Sequence, residues 1–518
     1  MAMRLELGKL DKAVFDVCVI GAGLNGAATA QQLAAAGYSV LLVEKGDYCS
    51  GSSSRSSRLL HCGLRYLAPG TSIFDQFVLH PSRLGIAMRM ARLGMEARRE
   101  LVLTTPERVS PMDFHFPIWN DSITRPWQFR LGVRLLERMA PTDVPLNHRM
   151  LSPAAAKKVP LIGGLRDWDR LQSVGVFTEY QLEWAERLCV DAVLDAERLG
   201  ATVRNYTAAT GLTRTGDGWS VKLLDAPTGA TATVQSRLVL NMAGIWIDKV
   251  NGSSGKSVPR KIFGTKGAHI VVQLPPECAK NAIVSFDSHN EPFYCIPWRG
   301  LHYFGPTETV YEGDPDTIRA EEQEIEGLIL QANHLLPGLG LKRSDVLSTW
   351  AGVRPLTYDP AYPKGKRSRD IHDLADAQLP GVYAMTAAPA MTYRSGGTDM
   401  LKLVQGQLKP ANAPQQVSYA ARKYPAAEGS LPVVSDWPEA KFADLAYAAQ
   451  HEHATNLVDL MFRRIGAGWT KTMGYDAADK AAETVAGIYG WDAARSKQEA
   501  ANYRAYLEQM HSFRPSSV

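Results

Sequence analysis

The chain has no C-x-x-C pair, no metal-ligand spacing and no long apolar stretch. Its six cysteines (Cys18, Cys49, Cys62, Cys189, Cys278 and Cys295) are scattered along its length. That scatter argues against a structural zinc site, so no metal is expected, and it suits a reducing compartment. No segment approaches the roughly eighteen apolar residues of a membrane span. The opening residues, MAMRLELGKLDKA, lack the apolar core of a secretory signal, and a cytoplasmic location is expected. An excess of one charge is missing too. The 57 Lys and Arg face 53 Asp and Glu, and a net charge of +4 gives no argument for nucleic acid. Internal repeats and low-complexity tracts are absent. The remaining composition is ordinary for a globular protein, 45% hydrophobic and 21% charged, and 518 residues suffice for two or three domains.

Against that plain background one segment carries information: FDVCVIGAGLNGAATA, Phe15 to Ala30. Val17 to Ile20 is a β-branched apolar run suited to a buried parallel strand. Gly21, Gly23 and Gly26 follow in G-x-G-x-x-G spacing. The first glycine permits a tight turn, the second a close backbone approach to a phosphate, the third close packing of helix on strand. The alanine-rich stretch Leu24 to Ala36 predicts a helix whose N-terminus suits an anion. Tyr38 to Val43 predicts a second strand, and Glu44 at its end can accept from a ribose diol. An acid there favours NAD or FAD over NADP. Strand, helix, strand and acid in this order make the motif far stronger than three glycines alone.

The next segment, GDYCSGSSSRSSRLLHCGLRYL, bears on which dinucleotide. Ser50 to Ser57 is small and polar, and it runs straight into an apolar, aromatic stretch. That suits a loop over which a large cofactor lies. Here the chain resembles a family. GAGLNG followed by SSSRSSRLLHCGLRYL is similar to the FAD-dependent glycerol-3-phosphate dehydrogenases, whose second motif is close to TSSxSSKLIHGGLRYLE. These belong to the wider D-amino-acid-oxidase-like flavoproteins. NMAGIWID (Asn241 to Asp248), GTKGAHIVV (Gly264 to Val272), FGPTETVYEGDP (Phe304 to Pro315), AGVRPL (Ala351 to Leu356) and HEHATNLVDLMFRR (His451 to Arg464) resemble further family motifs in chain order.

The resemblance implies FAD as cofactor. It implies an α/β fold: a Rossmann-like FAD-binding domain of the glutathione-reductase and D-amino-acid-oxidase type, an inserted mixed-sheet substrate domain and a C-terminal α-helical domain. The FAD-binding domain is expected in three pieces, 10–70, 171–260 and 345–410. The substrate domain is expected from 71–170 and 261–344, and the helical domain from 411–518, beyond a Pro-rich linker at Lys409 to Pro438. Beside the fingerprint residues, the resemblance assigns Ser53, Ser54, Ser57, Arg58, Leu60, His61, Ala243, Gly244, Trp246, Ala388, Pro389, Ala390 and Met391 to the cofactor. The chain also departs from the pattern. TAAPAMTYR (Thr386 to Arg394) stands where the family has FGGKLTTYR, so Pro389 replaces a lysine that the family sets beside flavin and substrate phosphate. Arg58 replaces the lysine before LIHGG, and Cys62 the first glycine after its histidine.

Oxidising an alcohol with a flavin needs a base for the hydroxyl proton and a carbon whose hydride faces the flavin. The motifs point to Arg65, Tyr66, His269 and Arg354 as substrate contacts, with His269, Arg65 and Arg354 in the catalytic role and Arg394 adding charge. Arginine suits a phosphate through its planar fork. Imidazole titrates near neutral pH, which makes His269 the leading base. Its place in the apolar run AHIVV equally fits a core histidine. Arg58, Lys266 and Arg394 are candidates to replace the missing lysine's charge. The expected reaction is oxidation of a small polyol phosphate. The leading case is sn-glycerol 3-phosphate to dihydroxyacetone phosphate, with electrons passed to quinone. A longer substrate such as erythritol phosphate, or an oxygen-using oxidase of an amine or hydroxy acid, stays open. Basic helical stretches at Arg83 to Glu100 and Phe129 to Met139 suit peripheral contact with the inner face of the cytoplasmic membrane, or simple packing on their own domain. A homodimer is compatible with the sequence.

Overall fold

The fingerprint run forms the strand Val14–Ile20 at the centre of a parallel sheet. In this computed structural model the described residues are 4–64, 81–139, 143–288, 290–362, 365–386 and 389–515. Arg65, Tyr66 and Ala388 lie outside them. The parallel core runs Val382–Thr386, Thr231–Asn241, Val14–Ile20, Val40–Val43, Thr202–Arg204. Val17, Val19, Leu41 and Leu42 are fully buried, each a gain of about 1.5–3 kcal/mol over exposure. A tight turn at Gly216 to Gly218 joins Thr207–Thr215 to Gly218–Asp225, which extends this sheet.

Helix Leu24–Ala35 follows the glycine turn and packs against helices Ala185–Arg198 and Tyr393–Gln405. Small residues allow the approach. A Cβ on Gly26 would stand 1.8 Å from the Gly21 carbonyl oxygen, and one on Gly397 2.8 Å from that of Ala28.

A second, mixed sheet holds the long strands Val109–Trp119, Ile262–Val272 and Val346–Thr357. Two strands differ from the expected partition. Leu171–Leu182 pairs with Val109–Trp119, and Val346–Thr357 pairs with Ile262–Val272, so both belong to this second sheet and not to the fingerprint sheet. Each has a near-continuous buried run, 174–177 and 348–353, whose two faces enter different apolar clusters, Phe177 and Trp350 on one side and Val176 and Ala351 on the other.

Lys409 to Pro438 has no helix and no strand. The helices Phe442–His451, Ala478–Tyr489 and Ala493–His511 follow, with a wide helical turn at Asp459–Arg464. They do not form a separate core. Phe462, Trp469 and Leu507 join Trp298, Tyr303 and Trp350 of the second sheet in one apolar cluster. Among the described residues no helix is long and apolar enough to cross a membrane, and no cluster of His, Cys, Asp and Glu could hold a metal.

Candidate active site

A cleft of about 960 Å³ runs from the fingerprint turn to the second sheet. At one end Gly21 takes φ +105°, where a Cβ would meet the Met242 carbonyl oxygen at 2.7 Å. The turn aims the N-terminus of helix Leu24–Ala35 into the cleft, with Gly23 and Asn25 on its wall. The Leu24 N–H donates to Ser53 Oγ at 3.2 Å, which ties the serine loop to the fingerprint. Glu44 accepts from the Ala22 N–H at 2.7 Å and the Gly46 N–H at 3.0 Å. Burial raises its pKa against those two bonds. Each carboxylate oxygen keeps a second lone pair for a diol.

The residues fit a flavin dinucleotide. Asn25 Oδ1 and Trp246 Nε1 belong to cleft-lining residues and make no hydrogen bond among the described residues. A Cβ on Gly23 would stand 3.0 Å from Ser53 Oγ, so the bare backbone there lets the serine loop close on the fingerprint turn beside the cleft. The cleft volume lies at the upper end of cofactor sites.

At the other end stand His269 and Arg354. His269 lies on strand Ile262–Val272, paired in register with Trp350 of strand Val346–Thr357. Its ring stacks on Trp350 at 4.7 Å and meets Tyr303 edge-on at 5.7 Å. Burial first, then Arg354 and Arg58, push its pKa well below the usual histidine range, so the ring is neutral. Arg354 pairs opposite Thr265. A Cβ on Gly267 would stand 2.7 Å from Arg354 Nη2, so the guanidinium crosses the bare Gly267, on the same strand face as His269. Glu308 holds Arg354 at 3.9 Å and accepts from Arg367 at 2.5 Å.

Gly21, Gly23, Glu44, Ser53, Ser57, Arg58, His61, Ala243, Gly244, Trp246, His269, Arg354, Pro389 and Ala390 all line this cleft. Other expected residues do not. Gly26 is spent on helix packing, and the Ser54 hydroxyl donates to the Gly51 carbonyl. Leu60 and Met391 are buried in the apolar core behind the wall. Arg394 is also misplaced by the motif reading: it donates to the hydroxyls of Thr104 and Thr105 and stacks on Tyr419 at 3.8 Å, away from the cleft.

Nor do the proposed replacements for the lysine charge stand free. Arg58 is fully buried and grips Glu186 with two bonds of 2.9 Å, and Lys266 pairs with Glu324 at 2.7 Å. Arg55 and Arg367 line the cleft and were not foreseen. The basic run GKRSR before strand Asp370–Asp373 was a signal for the second.

The sheet, the turn and the cleft define a dinucleotide-dependent oxidoreductase. The profile of the FAD dependent oxidoreductase family matches residues 16–396, and that of the C-terminal domain of alpha-glycerophosphate oxidase matches 415–496. The chain is 30% identical to a glycerol-3-phosphate dehydrogenase of Synechocystis, over 97% of this chain and 98% of that one. It is 28% identical to an aerobic glycerol-3-phosphate dehydrogenase of Staphylococcus aureus, over 76% of this chain and 68% of that one. The solved glycerol-3-phosphate dehydrogenase of Bacillus halodurans, complexed with FAD, has the same fold: the TM-score is 0.70 at 19% identity, covering 97% of this chain and 96% of that one. The chain belongs to the FAD-dependent glycerol-3-phosphate dehydrogenase family, and its cofactor is FAD.

Proposed function

We propose that the chain oxidises the secondary alcohol of a small polyol phosphate, with sn-glycerol 3-phosphate to dihydroxyacetone phosphate as the leading case. One observation carries this reading. A neutral imidazole, His269, and a guanidinium, Arg354, share one face of the second sheet at the cleft end remote from the fingerprint. Bound FAD supplies the hydride acceptor. His269 receives the hydroxyl proton, and Arg354 holds the phosphate with its planar fork. Arg65 and Tyr66 join them on the strength of the family motif alone. The names of the relatives support the same substrate. The lining residues from Gly21 to Trp246 are the proposed cofactor contacts. The three-domain division stands as a proposal, with Leu171–Leu182 and Val346–Thr357 moved to the substrate side.

Anaerobic bleaching of the yellow protein tests this. Glycerol 3-phosphate should bleach it, and free glycerol should do so far more slowly. Equal bleaching by free glycerol would remove the phosphate site. Faster bleaching by erythritol phosphate would transfer the reading to a longer substrate, and bleaching by an amino acid alone would overturn it.

For the electron acceptor we propose quinone, met at a lipid surface. Helix Pro126–Met139 supports this. Trp127, Leu131 and Leu135 form one exposed apolar row, the first two 64% and 61% exposed. Arg130, Arg134 and Arg138 are exposed beside them. Such a face suits anionic lipid. Gly132 of this helix faces Leu64, three residues beyond the cleft-lining His61. Reduction of a quinone analogue without peroxide release is the expected outcome.

A further inference from the structure

Ser57 Oγ lies 3.0 Å from His269 Nε2. Both residues line the cleft. Several parts of the fold hold this contact in place. The Ser57 carbonyl accepts from the Tyr303 hydroxyl at 2.6 Å. The next residue, Arg58, has φ +57°, a conformation an arginine adopts only under constraint. Its guanidinium is bonded twice to Glu186 and lies between the rings of Trp298 and Trp469, at 4.3 and 4.5 Å. Its carbonyl accepts from the Leu182 N–H at 2.7 Å. The serine is therefore pinned on both sides. The imidazole is pinned by its stack on Trp350. Two fixed groups meet at a single hydrogen bond, while His269 Nδ1 is buried with no hydrogen-bond partner among the described residues.

The geometry points to Ser57 as the hydroxyl through which His269 works. This rests on the alcohol-oxidation reading above. With the ring proton on Nδ1, Nε2 accepts from Ser57 O–H. The substrate hydroxyl then gives its proton to Ser57 Oγ as the serine proton passes to Nε2. The substrate O–H and the original serine O–H break, a new serine O–H and an Nε2–H form, and serine ends unchanged. The carbinol carbon is oxidised, and its hydride is the one the cofactor accepts. A serine in the same loop that merely touched the cofactor would need no bond to the base.

Three variants of the holoprotein test this: S57A, S57T and H269Q. Selective ¹⁵N-histidine labelling of the holoprotein, with H269Q assigning the signal, reads the tautomer without any substrate. The wild-type His269 signal should be that of a single tautomer protonated at Nδ1, and S57A should convert it to a mixture while S57T keeps it. An unchanged signal in S57A overturns the proposal whatever the substrate proves to be. In anaerobic stopped flow with glycerol 3-phosphate, S57A should lower the limiting bleaching rate about a hundredfold with a small change in the half-saturating concentration. S57T should recover most of the rate. S57A and H269Q together should be no slower than the worse single variant. Multiplying losses, or flavin loss from S57A at unchanged rate, would reduce Ser57 to a cofactor contact. Failure of every polyol phosphate to bleach the wild type would instead sink the substrate reading and leave the tautomer result standing.

Discussion

Both carboxylate oxygens of Asp47 accept hydrogen bonds from Arg464, at 2.9 and 2.8 Å, although 417 residues separate them. Asp47 lies three residues beyond Glu44, in the loop that borders the cofactor end of the cleft. Arg463 adds a bond of 2.6 Å and Asn205 one of 2.9 Å. Both Asp47 and Arg464 are fully buried. Burial alone would raise the Asp47 pKa; Arg464 and Arg463 outweigh it and hold the carboxyl far below the usual range. A depressed acid stabilises the fold above its unfolded pKa and loses that contribution as pH falls. D47N should therefore cost about 3–5 kcal/mol at neutral pH and weaken flavin retention. Urea unfolding of the holoprotein, with gel filtration to follow the flavin, checks both.

Arg354 is expected to act on the phosphate and on the base at once. R354A should raise the half-saturating glycerol 3-phosphate concentration by roughly 10- to 150-fold, the equivalent of about 1.5–3 kcal/mol for a charge-assisted bond. Rates with free glycerol should change little. Burial and Arg354 both depress the His269 pKa, so the rate for the free wild-type enzyme should hold as pH falls through 6.5. Removing Arg354 should move that acid limb upward. A pH profile of bleaching at low substrate distinguishes the two effects.

Glu179 offers a pH-dependent stability term away from the cleft. Its Oε1 accepts from the Cys62 N–H at 2.7 Å, and Arg98 lies 3.8 Å away. Burial pushes its pKa up to about 7, against the pull of Arg98 and of the Cys62 donors. A raised acid contributes its full stability below the unfolded value and loses it as pH rises through the folded one. The stability difference between E179Q and wild type should thus shift by about 3 kcal/mol in favour of the variant between pH 4.5 and 8. Thermal melts across that range are the measurement.

On helix Pro126–Met139, replacing Trp127 and Leu131 by serine should leave flavin content and bleaching by substrate intact. Flotation with anionic liposomes at low salt should fall several-fold, because the proposed lipid contact rests on this exposed apolar row. Reduction of a membrane-embedded quinone should fall with it.

Arg394 should prove structural. R394A should lower the melting temperature by several degrees, since it removes bonds to Thr104 and Thr105 and the stack on Tyr419. Half-saturating substrate should not change.

The fingerprint was readable because G-x-G-x-x-G serves a backbone requirement that no other residues meet, and Gly21 duly sits at φ +105°. Glu44 followed from local spacing, whereas Ser53, His269 and Arg354 were legible only through the family resemblance; all four line the cleft. What was not readable depends on partners far along the chain. Lys266 is paired because helix Glu322–Leu335 packs on strand Ile262–Val272 and brings Glu324 against it. Arg394 kept its motif, yet its ring partner, Tyr419, comes from the coil after Lys409. The cage of Trp298, Trp350 and Trp469 around Arg58 gathers three distant residues with no shared pattern. Strand Leu171–Leu182 sits in the second sheet because Val109–Trp119, far back in the chain, pairs with it, and no local pattern names that partner.

The bond from Arg464 to Asp47 also sets an order of events during synthesis. The loop beside Glu44 emerges from the ribosome first, and Arg464 is made 417 residues after Asp47, tens of seconds later at about 5–20 residues per second. Until then Asp47 lacks both of the guanidinium partners that offset its burial. Flavin capture is therefore expected to follow synthesis of Arg463 and Arg464. Ribosome-arrested chains halted before Arg463 should carry no flavin, whereas chains released after the last helix should.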